Sequence, residues 1–95
     1  MLASRSYRAW VCWPCLESGK RDPARTRGCM VPLLELSENH FQIGLRRPPA
    51  RGDYITVEVL LAPRHFSRGW LGRVVSLRPG ADGLWYTECE IIGPR

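Results

Sequence analysis

Residues 54–61, YITVEVLL, separate cleanly into two faces, with Ile55, Val57, Val59 and Leu61 on one and Tyr54, Thr56, Glu58 and Leu60 on the other. A period of two with apolar residues on one side is that of a half-buried β-strand. Residues 84–92 repeat the pattern, with Trp85, Thr87, Cys89 and Ile91 against Tyr86, Glu88 and Glu90. Residues 40–45 do so again, with Phe41, Ile43 and Leu45 against Gln42 and Gly44.

Three further runs read as strands: residues 7–15, 29–36 and 70–77, with Pro32 marking an edge or a bulge in the second of them. Nine glycines and eight prolines punctuate the chain, and helical periodicity is hard to find. The connections ESGKRDPARTRG (17–28), RRPPARGD (46–53), APRHFSRG (62–69) and RPGADG (78–83) are polar, basic or turn-forming. Six strands at roughly ten-residue spacing predict an all-β fold, a small six-stranded antiparallel β-barrel with little or no helix. Closure also removes exposed strand edges, which suits a chain with no covering helix.

The 95 residues suffice for a single domain spanning 1–95. The 44% apolar and 24% charged shares are those of a soluble globule. No run of about 18 apolar residues could span a bilayer. The opening MLASRSYRAW lacks the apolar stretch of a secretory leader, so a cytoplasmic location without membrane contact is expected. The net charge is +5, and of fourteen basic residues all but Lys20 are arginine. Arginine suits forked contacts to phosphate and stacking on flat rings, although a GC-rich genome gives the same bias. The charge permits a polyanionic partner without requiring one.

Cys12 and Cys15 have the CxxC spacing of redox dithiols and zinc knuckles. A zinc ribbon needs a second close pair, whereas Cys29 and Cys89 lie far apart in the chain. A redox dithiol needs a helix after its first cysteine, and here LESGKRDP follows the second. Strand cysteines acting as small apolar residues are therefore expected, with no metal and no cofactor. Glu88 and Glu90 share a strand face but read as a solvated surface, and His40 and His65 have no partner at metal-ligand spacing. Nucleophile elbows, phosphate loops and dinucleotide fingerprints are absent. No catalytic residue is assigned, and a binding module is expected rather than an enzyme. The RGD tripeptide of residues 51–53 reads as a turn feeding the fourth strand.

The connection between the second and third strands is LELSENHFQIGL (34–45), in which Ser37-Glu38-Asn39-His40 stands as a polar knot. An acid-x-Ser turn at this place, with arginines before the first strand of a six-stranded barrel, resembles the PilZ domain. That family binds the bacterial messenger cyclic di-GMP through an Arg-x-x-x-Arg segment and an Asp-x-Ser-x-x-Gly turn. The resemblance covers about residues 5–92 and is one of pattern. It places Arg5 and Arg8 near the first motif, Glu35 at the acid, Ser37 at the serine, Asn39 within the turn and His40 at the glycine. In the family those residue types supply cations for the phosphates, forked donors for guanine edges, a hydroxyl and a close backbone approach.

This chain departs from the pattern at several points. Arg5 and Arg8 are spaced Arg-x-x-Arg; Arg21 and Arg25 have the family spacing but sit in the loop before the second strand. Glu35 lengthens the acid and His40 replaces the glycine. A lost charge-assisted or bidentate contact is worth ~1–3 kcal/mol, so two or three losses weaken binding roughly 10²–10⁵-fold. The resemblance thus implies a signalling adaptor with weak or lost cyclic di-GMP binding that works through a protein partner. A working receptor using Arg5, Arg8 and the Glu35–Ser37 turn is the alternative. A nucleic-acid-binding barrel, with Tyr7, Trp10, Trp13, Trp70, Trp85 and Tyr86 as stacking residues, is a second alternative.

Overall fold

The structure, a computed structural model, describes residues 8–15, 27–61 and 66–94. Within them are six strands and no helix: β1 (Arg8–Cys15), β2 (Arg27–Leu36), β3 (His40–Leu45), β4 (Tyr54–Leu61), β5 (Phe66–Pro79) and β6 (Trp85–Pro94). They close into an antiparallel barrel in the order β1-β2-β3-β6-β5-β4, with β4 returning to β1. The all-β barrel expected from the alternation is the fold observed.

The inward residues are those the period-two pattern selects. Ile55, Val57 and Val59 of β4 meet Ala9 and Val11 of β1, Val31 and Leu33 of β2, Phe41, Ile43 and Leu45 of β3, Val74 of β5 and Cys89 of β6. All are essentially removed from water, and burying one such aliphatic or aromatic side chain contributes about 1.5–3 kcal/mol. Trp13, Trp70, Leu77 and Ile91 pack against the margins of this core. Gly72 of β5 faces inward where β5 crosses the Phe41 ring; a Cβ there would stand 2.6 Å from ring atoms Cε2 and Cζ. The largest core side chain therefore occupies the space a side chain at position 72 would need.

Three strands, β2, β5 and β6, run further than their sequence suggests, β6 continuing to Pro94. Residues 66–69 read as loop because serine, arginine and glycine are turn residues, yet they belong to β5. The register explains it: Leu60 and Leu61 of β4 pair with Ser67 and Phe66, so β5 lengthens to match its neighbour's end. Arg27 and Gly28, read as loop, likewise extend β2 by pairing with Trp13 and Cys12. Tyr7, Arg5 and the arginines at 21 and 25 lie outside the described residues.

The tripeptide at 51–53 is a turn bound to β5. Gly52 takes a φ of 90°, a left-handed backbone that favours glycine. Its N–H donates to the Val74 carbonyl at 2.8 Å, and the Val74 N–H donates to the Asp53 carbonyl at 2.9 Å. Asp53 Oδ2 accepts from the Ala50 N–H, and Arg51 Nε–H donates to the Val75 carbonyl. Among the described residues no helix is long and apolar enough to cross a membrane.

Candidate functional site

The β2–β3 connection is a tight turn with Glu38 and Asn39 at its corner. The Ser37 N–H donates to the His40 carbonyl at 2.9 Å. The His40 N–H donates to Ser37 Oγ at 3.2 Å, and that hydroxyl lies 3.3 Å from the His40 carbonyl it can donate to. Serine in turns characteristically engages backbone in this way. The hydroxyl's single donor and one acceptor position are thus used inside the turn. Removing them with Ser37→Ala is expected to cost about 1 kcal/mol and lower Tm by about 5 °C. A thermal melt with unchanged Tm would show that the hydroxyl does not hold the turn.

His40, at the position the resemblance gives to glycine, is exposed, and no described non-glycine residue has a positive φ. Histidine here fits the backbone without strain. The carbonyl of Asn39 accepts from the Ile91 N–H at 2.7 Å, tying the turn to β6. Glu35 is exposed and pairs across the ladder with Gln42; the register slips between Leu33 and Glu35, placing a bulge just before the acid.

The first residue of β1, Arg8, sits opposite Pro32. It lines a cleft of about 580 Å³ together with Arg46 and Arg47 from the start of the β3–β4 connection. Trp13, Met30, Pro32 and Leu84 supply apolar wall, and among the described residues no carboxylate lines it. The cleft follows from strand lengths. β2 has ten residues and β3 six, and the β2–β3 ladder ends at Leu33–Ile43. The N-terminal half of β2 thus runs on beside β1 with no described strand on its other edge.

Of the residues expected at a ligand site, only Arg8 lines this cleft. Glu35, Ser37, Asn39 and His40 form the turn at the far end of β2, and Arg5 lies outside the described residues. Arg46 and Arg47 were not singled out by sequence reasoning. Their signal would have been the mismatch between a long second strand and a short third one followed directly by Arg-Arg.

A polar row crosses the opposite wall. Tyr54, Arg73, Glu90 and His40 are successive cross-strand neighbours on β4, β5, β6 and β3. Arg73 forms an ion pair with Glu90, which raises the guanidinium pKa above its ordinary value through hydrogen bonding and charge. Glu90 is therefore engaged by a cation rather than coupled to Glu88 as an acid–base pair. Nearby, the Tyr86 hydroxyl donates to Asp82 Oδ2 at 3.1 Å, and this bond with the carboxylate raises the phenol pKa. The guanidinium of Arg78 lies 5.3 Å from the centre of the Tyr86 ring, a cation–π arrangement.

The thiols of Cys29 and Cys89 are free. Cys12 lies within β1, not at a helix terminus, and β1's register against β4 breaks between Cys12 and Cys15. Burial, with the nearby Cys12 adding to it, pushes the Cys29 thiol up. Among the described residues no group of three or more His, Cys, Asp or Glu could hold a metal ion. Compared with protein-family models, with curated proteins and with solved structures, the chain finds no match.

Proposed function

We propose that the chain is a PilZ-like, non-enzymatic signalling adaptor of the bacterial cytoplasm that binds cyclic di-GMP weakly or not at all and acts through a protein partner. The observation that carries this reading is the separation of the motif positions. Ser37 spends its hydroxyl on its own turn, while Arg8 faces a cleft that the turn does not line. A dinucleotide held by the family's two motifs needs both at once. The nucleic-acid alternative draws less support, because Trp13 and Trp70 pack against the core and Tyr86 is held by Asp82 and Arg78.

Titration calorimetry with cyclic di-GMP tests the proposal. The expected result is no saturable heat at micromolar ligand. Micromolar binding that disappears in an Arg8→Ala variant would overturn it in favour of a working receptor.

A further inference from the structure

We infer that the open edge of β2 is a docking site for an extended, acidic segment of a partner protein, which adds to the sheet as a short strand antiparallel to β2, in line with β3. This inference rests on the adaptor reading and names the surface and the chemistry of the partner.

Three observations lead to it. First, continuing the Leu33–Ile43 pairing sets Leu45, the last residue of β3, beside Val31, while β2 continues back to Arg27, so the lane beside residues 28–30 is vacant among the described residues. Gly28 is exposed there and Met30 is 42% exposed. Unpaired strand N–H and C=O groups are a ready template for another chain. Pro32 has no N–H, which confines the available ladder to the residues before it.

Second, the cleft is this lane. It is lined by residues of both faces of β2, Cys29 and Val31 from one and Met30 and Pro32 from the other. Such straddling is what an incoming strand requires, because its alternate side chains point to opposite faces.

Third, the lane is ringed by Arg8, Arg46 and Arg47, and among the described residues no acid lines it. The occupant is therefore anionic. A second copy of this chain is a poor occupant, since edge pairing would bring two such arginine sets together on molecules of net charge +5.

Two capped decapeptides test the inference on the whole chain, one alternating glutamate with valine and one alternating lysine with valine. Each is titrated into ¹⁵N-labelled protein, with amide hydrogen exchange measured at saturation. The glutamate peptide is expected to shift the resonances of residues 28–31 and 44–47 and to protect amides within 28–30. An Arg46→Glu/Arg47→Glu variant should weaken it about tenfold or more. N-methylation along one peptide edge should abolish binding, while methylation along the other should not.

Equal binding of the lysine peptide, binding without protection at 28–30, or no shift at millimolar glutamate peptide would each overturn the inference. So would inorganic pyrophosphate that moves Arg46 and Arg47 and displaces the peptide from a site showing no protection. Cyclic di-GMP titrated into the same sample separates the two failures. Its micromolar binding at Arg8 and residues 35–40 would sink the adaptor reading, whereas silence from both dinucleotide and peptide would sink only the strand-docking inference.

Discussion

Replacing Phe41 with alanine is expected to destabilise the barrel by about 3–5 kcal/mol, read as a fall in urea midpoint with unchanged m value. Phe41 is the largest of the fully buried side chains. It pairs across the ladder with Cys89, and its ring covers Gly72. Alanine would leave a cavity where three strands meet. A domain's whole stability is about 5–15 kcal/mol, so this one change removes a large part of it.

Gly72→Ala is the complementary experiment. Its φ is not in the left-handed region, so alanine suits the backbone and by chain entropy alone would stabilise by about 0.4–1 kcal/mol. The steric clash decides the sign, because a methyl 2.6 Å from a buried ring must displace it. Overpacking of this kind costs about 1–3 kcal/mol. Combining Gly72→Ala with Phe41→Leu should cost less than the sum of the two single changes, by about 1 kcal/mol. Strict additivity, or a Phe41→Ala cost under about 1 kcal/mol, would contradict this packing.

The second large effect is a loss of stability at alkaline pH. Burial, with the Glu88 charge adding to it, pushes the Cys89 thiol from its ordinary 9.0 to about 12. An acid whose folded pKa is raised binds its proton more tightly in the native state, so stability is full below the unfolded value and declines as pH rises through the window between the two. Between pH 9 and about 12 the native state is expected to lose up to roughly 4 kcal/mol from this thiol, at ~1.4 kcal/mol per pH unit. The raised Cys29 thiol acts in the same direction. Comparison with Cys89→Ala isolates the larger share: the variant starts less stable, and its deficit should shrink as pH rises. Parallel stability curves for the two proteins would show that Cys89 does not titrate in this window.

The barrel was legible where apolar and polar residues alternate without interruption. In β4 and β6 the inward residues, Ile55, Val57, Val59, Thr87 and Cys89, are those the alternation selects. What alternation cannot give is the cover on the outer face. Thr56 points outward by pattern yet is 3% exposed; its ladder neighbours Cys12 and Leu71 are 2% and 7% exposed. Part of that cover is local, because the Trp10 indole lies over Gly28, the cross-strand partner of Cys12.

At the site, the serine turn could be read from Ser37 and its neighbours because its bonds are local, three residues apart. The cleft could not, because it arises from a length mismatch between β2 and β3 and brings Arg8 together with Arg46 and Arg47. The resemblance to the PilZ turn directed attention to Glu35, Asn39 and His40, which are exposed but line no part of that cleft.

The most direct measurement is a ¹⁵N–¹H correlation spectrum of the whole chain recorded across a cyclic di-GMP titration into millimolar excess. The adaptor account predicts that the resonances of Arg8 and of residues 35–40 stay in place through the micromolar range. Shifts at both that saturate in the micromolar range, abolished together by Arg8→Ala, would contradict it.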